Sequence, residues 1–261
     1  MVAFKDGSMA VFDREKDDQP VSLQSAQRTS RFHVTRAPKG SKHNPTSYWQ
    51  VSPRAVSAFA ISPDCQHVAI VSMDGCLRIV DLIDEKLMDA YESYFGGLTC
   101  VAWSPDGKYV LTGGQDDLVS VWSFVERRII ARCQGHQSWV TSVSFDDWRC
   151  DEDMYRFGSV GEDGHLLLWD FSVQALSRPK VPRDNTSITK RASSVNVSNM
   201  AEPQTHPALP RNHVPILQPI MVMTVHDEPL SSITFQEKYL MTTCCRGRIK
   251  LWERPSSGHD R

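Results

Sequence analysis

Residues 94–123 read YFGGLTCVAWSPDGKYVLTGGQDDLVSVWS, two alternations of apolar and polar positions joined by a Ser-Pro-Asp-Gly turn and closing on a Trp. Alternation with period two predicts short strands, and Pro and Gly fit the dihedrals of the turn between them. The same ruler applies elsewhere along the chain. Trp122 follows Asp116 by six residues and Trp103 by nineteen; Val80 stands in the same relation to Asp74 and Ile61. In residues 140–170, Asp163 again precedes Trp169 by six, with five residues inserted after Phe145. Phe235, Arg246 and Trp252 repeat the pattern slightly compressed, and Asp6 and Phe12 supply its end near the N-terminus. Five occurrences of one pattern make an internal repeat, which decides the fold before any single residue does.

Each unit predicts three strands, with a fourth running from Leu87 to Ala90 ahead of Tyr94, or from Arg128 to Ile130 ahead of Gly135-His136. Four antiparallel strands in about forty residues make one propeller blade. The predicted fold is therefore all-β: a β-propeller of about four blades plus a partial N-terminal blade, an incomplete ring with a disordered linker inserted in one blade. The expected division is a partial blade at 1–35, a basic loop at 36–47, blades at 48–90 and 91–134, and three strands of a further blade at 135–171. A disordered linker at 172–215, the fourth strand of that blade at 216–225, a last blade at 226–255 and a tail at 256–261 complete it. Phe32 to Val34 is expected to supply the fourth strand of the first blade. The chain opens at a second strand and closes after a third, so it reads as a fragment lacking roughly two N-terminal blades.

The Gly-His, Ser-Pro-Asp-Gly and Trp-Asp signatures resemble those of WD-repeat proteins. That resemblance implies a hydrogen-bonded structural set in each blade: His136, Ser159, Asp163 and Trp169 in one; Thr112, Asp116 and Trp122 in another, with Tyr94 where His would sit; Asp74 in a third. The last blade keeps His226 and Trp252 but has Arg246 in place of the acid, which puts its set in doubt. These His–Asp pairs look like catalytic constellations, but the repeat already explains them as scaffold. A buried Trp N–H and a buried carboxylate both require partners.

What does not recur is more informative. Tyr94-Phe95 ahead of Gly96-Gly97, and Trp139 in GHQSWV, place large aromatics where the repeat needs only turn residues. Two readings stand on the residues alone: partner-binding aromatics on a rigid scaffold, or rings folded back onto the blade.

Composition narrows the classes. The net charge is -2, and seven Cys occur without a C-x-x-C pair, which argues against nucleic acid, a disulfide framework and a zinc site. Metal and cofactor are accordingly expected to be absent. No run approaches the roughly 18 apolar residues of a membrane span, and the N-terminus lacks a signal-peptide plan, so the expectation is an intracellular protein, cytoplasmic or nuclear, with neither nucleic acid nor membrane as partner. G-x-S-x-G, H-E-x-x-H and a phosphate-binding Gly-Lys loop are all missing, which disfavours an enzyme. Lys190 to Ser194, KRASS, holds a candidate phosphosite at Ser193, and the four acids between Asp147 and Asp153 read as a solvated loop.

The wording SYFGGLTCVAWSPDGKYVLTGGQDDLVSVWS, then GHQSWV, YRFGSVGEDGHLLLWD and VPILQP, is similar to the WD-repeat protein 20 family and its fungal relative, the catabolite-repression protein CreC. This resemblance implies a non-catalytic scaffold that binds and stabilises or activates a ubiquitin-specific protease, a CreB-like deubiquitinase, in fungal carbon catabolite repression. It implies partner-facing roles for Tyr94, Phe95 and Trp139, with further WD-repeat subunits as candidate partners. The alternative is a generic interaction platform, such as a ubiquitin-ligase adaptor or a chromatin-complex subunit.

Overall fold

A computed structural model describes residues 1–18, 32–38, 40–172 and 203–254; Ser193 and the tail at 256–261 lie outside them. Five sheets follow one another along the chain. Blade one holds β1 (Val2–Ala3) and β2 (Ser8–Val11); a small ribbon beside it pairs β3 (Asp17–Asp18) with β5 (His43–Asn44). Its remaining strands are β4 (His33–Arg36) and β6 (Ser47–Gln50), in the order β1-β2-β6-β4. Blade two is β7 (Val56–Ile61), β8 (His67–Ser72), β9 (Cys76–Asp81) and β10 (Lys86–Glu92). Blade three is β11 (Leu98–Trp103), β12 (Tyr109–Gly114), β13 (Leu118–Ser123) and β14 (Arg128–Gln134). Blade four begins with β15 (Val140–Phe145), β16 (Met154–Gly161) and β17 (His165–Ser172).

The chain after β17 takes an unexpected route. When it re-enters the described residues, β18 (Gln204–His206) lies parallel to β10 on the outer edge of blade two. A 3-10 turn follows at Arg211–His213, and then β19 (Ile216–Leu217) lies parallel to β14 on blade three. Only then does β20 (Met221–Thr224) pair with β17 as the fourth strand of blade four. Blade five is β21 (Leu230–Phe235), β22 (Tyr239–Cys244) and β23 (Ile249–Glu253). Among the described residues no strand pairing joins the first sheet to the last, so the ring is open.

Each blade is built by the same local chemistry. The inner strands β7, β11, β15 and β21 all carry a bulge near their start, between Val56 and Ala58, Leu98 and Cys100, Val140 and Ser142, and Leu230 and Ser232. A bulge adds local twist, which suits strands that must fan around an axis. In the Ser-Pro-Asp-Gly turn, Asp106 accepts from the Ser104 hydroxyl at 2.7 Å and from the Lys108 amide at 3.1 Å, while Ser104 Oγ accepts the Tyr109 amide at 2.9 Å. Gly107 takes φ +71° there, and Cys65 is forced to φ +57° at the matching place in blade two.

The cores sit between blades. Met9 and Trp49 meet Val68, Ile70 and Val80 between blades one and two. Leu77, Tyr91, Trp103 and Trp122 fill the space between two and three; Phe145, Phe157, Trp169 and Phe171 pack with Leu111 and Val121 between three and four. Val160, Leu166, Ile233 and Phe235 seal four against five. Middle strands are thus covered on both faces, and every residue of β12 and β13 is buried.

Two expected boundaries move. Ser47–Gln50, divided in the sequence reading between the basic loop and the second blade, belongs to the first sheet and separates His33–Arg36 from β2. Trp49 explains this: its ring meets Phe32 edge-on at 5.8 Å, and its Nε1 donates to Ser47 Oγ and Glu85 Oε1, both at 3.1 Å. Of the linker expected at 172–215, residues 203–215 lie within the described part and run along blades two and three, and Ile216–Leu217 joins blade three rather than blade four. That segment has no core of its own. It acquires order from the exposed strand edges of its neighbours and from burying Val214 among Tyr91, Trp122 and Ile129.

Candidate functional site

The polar set is complete in blade four. The Ser159 hydroxyl donates to His136 Nε2 at 2.8 Å and accepts the Trp169 indole N–H at 2.9 Å. His136 Nδ1–H donates to Asp163 Oδ2 at 3.0 Å, and the Gln137 and His165 amides donate to the same carboxylate. Burial works to raise the Asp163 pKa, but the His136 ring and these amides outweigh it and hold the carboxyl down at about 2. The set ties the loop before β15 to the turn before β17.

The other blades vary the theme. In blade two Arg78 supplies the positive partner: its Nη2 lies 2.6 Å from Asp74 Oδ2, and Ser52 and Ser72 donate to the same carboxylate. Against the pull of burial, these partners lower Asp74 to about 2. Sequence reading marked Asp74 but not Arg78, whose guanidinium is buried and also donates to Ser72 Oγ at 2.9 Å.

In blade three Trp122 Nε1 donates to Thr112 Oγ1 at 2.9 Å, but Tyr94 faces outward and leaves Asp116 without a ring. Burial then pushes Asp116 up to about 6, only partly opposed by the Leu118 amide and the Arg132 charge.

In blade five Thr242 joins His226 and Trp252, while Arg246 is exposed and ion-paired toward Glu228. His226, Glu228 and Cys244 bring donor atoms within 4.8 Å of one another. Arg246, Arg248 and Lys250 crowd this group, so it suits a displaced carboxylate better than a bound cation.

The exposed aromatics rise from the same end of the blades. Phe95 is 72% exposed, Tyr94 48% and Trp139 45%. Phe95 stands on a fixed base: Gly97 N–H donates to Gln115 Oε1 at 2.9 Å, and Ser93 Oγ donates to the Gly96 carbonyl at 3.1 Å. Gly96 has φ +68°, and a Cβ on Gly97 would lie 3.1 Å from both Gln115 Oε1 and Met73 Cα. Gly96 suits a backbone conformation that other residues rarely adopt, and Gly97 lets the loop lie close against Met73 and Gln115. Trp139 is anchored by its carbonyl, which accepts the Glu162 amide at 2.9 Å. Tyr94 lies against the Arg132 guanidinium of β14, 4.8 Å from its ring centroid, and Phe95 is the most exposed of the three rings.

Two further exposed aromatics, Trp148 and Tyr239, went unmarked in the sequence. Trp148, 49% exposed, sits in the loop between β15 and β16, with the Arg254 guanidinium 5.6 Å from its ring. It falls within the acidic stretch that was read only for its charge.

The fold and the repeated polar set define a WD-repeat β-propeller. Residues 46–81, 86–123 and 127–170 match the family described as WD domain, G-beta repeat. Among curated relatives it is similar to the UBP9-binding protein bun62 of Schizosaccharomyces pombe, 38% identical over 286 residues, covering 98% of this chain and 53% of the relative. The chain thus spans about half the length of the curated relative it matches. Among solved structures it resembles U3-55K, with a TM-score of 0.55 at 13% identity over 87% of this chain and 53% of that one, a likeness of fold alone. No helix among the described residues is long and apolar enough to cross a membrane.

Proposed function

We propose that this propeller is a non-catalytic scaffold that docks a ubiquitin-specific protease through the loops carrying Tyr94, Phe95 and Trp139. The observation that carries the reading is Phe95: a large ring, 72% exposed, on a loop tied to Gln115 through the Gly97 amide. Aromatics presented on a fixed base lose little conformational freedom on binding and are typical interface anchors. The class of partner is supported by the name of the Schizosaccharomyces pombe relative, a UBP9-binding protein. The finer reading, a CreB-like deubiquitinase acting in fungal carbon catabolite repression, rests on the family resemblance of the loop sequences.

A scaffold of this kind activates by binding the competent conformation of the protease better than the idle one. A preference of ~1–3 kcal/mol gives coupling of roughly 5–150-fold. The test is affinity purification of the protease with this chain and with Phe95→Ala and Trp139→Ala. Each truncation is expected to weaken binding by roughly tenfold or more while leaving the thermal transition in place. Undiminished recovery with both variants removes these loops from the interface.

A further inference from the structure

Residues 204–217 form a strap over blades two and three, and one side chain connects that strap to the aromatic loop. The strap is seated at several points. His206 Nε2 lies 2.9 Å from Oδ1 of the buried Asp89, and the His206 ring stacks on Tyr91 at 4.5 Å. Val214 is buried between the blades. Between these anchors the Leu209 carbonyl accepts from Arg132 Nη2 at 2.8 Å, and just beyond Val214 the Pro215 carbonyl accepts the Arg132 amide at 2.9 Å.

Arg132 is only 4% exposed, and its guanidinium carbon lies 4.8 Å from the centroid of the Tyr94 ring. One cation therefore touches the strap carbonyl and covers the ring next to Phe95. A guanidinium removed from water over an aromatic face holds that ring more firmly than an exposed one does. A planar fork fixed by a carbonyl is also preorganised for that contact.

We propose that Arg132 is a positioning residue for the docking loop and that the seated strap keeps it in place, so that release of the strap loosens the presentation of Tyr94 and Phe95. The inference rests on the docking reading above for its functional consequence, though not for the coupling itself. The strap is the element to perturb first, because the Arg132 charge also bears on Asp116.

The experiment uses the full chain with His206→Ala and Val214→Ala combined, and Arg132→Lys separately. Amide hydrogen exchange is followed in residues 93–97 and 204–217, alongside affinity for the protease. The double variant is expected to exchange faster in both segments and to bind the protease roughly 3- to 30-fold more weakly. Arg132→Lys is expected to speed exchange in 93–97 while 204–217 stays protected, and it decides the matter alone if the double variant fails to fold. Exchange in 93–97 that matches the unmodified chain, with the strap released or Arg132 replaced, overturns the proposal. If the unmodified chain binds no such protease, the docking reading fails, while the exchange data still decide whether Arg132 couples strap to loop.

Discussion

Asp116 should lower the stability of the protein near neutral pH, and replacing it with Asn should raise it. In blade four the corresponding Asp163 has a His ring, a set of amides and a pKa of about 2. Asp116 has lost the ring to Tyr94, and burial lifts it from 3.8 to about 6. Below about pH 4 the carboxyl is protonated whether the chain is folded or not, and contributes nothing to pH dependence. Between about pH 4 and 6 the unfolded chain releases its proton while the folded one keeps it, so stability falls as pH rises; above that range the cost is constant.

At 1.36 kcal/mol per pH unit, the distance from 3.8 to about 6 corresponds to roughly 3 kcal/mol, or about 1–3 kcal/mol once solvent screening at a partly exposed carboxyl is allowed for. Asn keeps an oxygen for the Leu118 amide and carries no charge. Urea denaturation of Asp116→Asn against the unmodified chain should show a gain of about 1–3 kcal/mol near pH 8 that shrinks toward nothing near pH 4. A gain of equal size at both pH values, or a loss near pH 8, refutes the account of Asp116 as a buried carboxyl without a ring partner.

Asp163→Asn should behave oppositely, losing roughly 2 kcal/mol near pH 7, with the deficit fading as pH falls through about 4 toward 2, in the same denaturation series. Cys65→Gly relieves a non-glycine residue at φ +57° and should raise the thermal midpoint modestly, by roughly 0.5–1 kcal/mol of stability. Gly158→Ala would place a Cβ 2.5 Å from Ile233 Cδ1 and 2.9 Å from Phe235 Cζ, overpacking the seam between blades four and five. A loss of about 1–3 kcal/mol by calorimetry is expected there.

The repeat was legible because it is written in local terms. Period-two alternation, a Ser-Pro-Asp-Gly turn and an acid six residues before a Trp each need only a short window, and they placed β7 to β17 and β21 to β23. Phe95 and Trp139 stood out for the opposite reason, since nothing in the repeat calls for a ring at either position. What was illegible depends on partners far along the chain. His206 is defined by Asp89, Leu209 and Ile216 by Arg132, and parallel pairing over two or three residues leaves no periodicity to read. Trp49 was misplaced because a basic loop precedes it, so its strand looked like the opening of the next blade. Arg78 was missed because an Arg in a strand ordinarily reads as solvated, and only the fold shows it buried against Asp74.

The backward course of the strap also bears on how the protein comes apart. Propeller blades touch mainly their neighbours, so an array of them can lose structure from either end, one unit at a time. The strap changes that arithmetic, because Asp89 meets His206 and Arg132 meets Ile216 across separations of 117 and 84 residues. The strap seats fully only once blades two and three both stand, and closing so long a loop gives it little independent stability. Blades two, three and four are thereby tied together by contacts made far apart along the chain, in addition to the cores each shares with its neighbour.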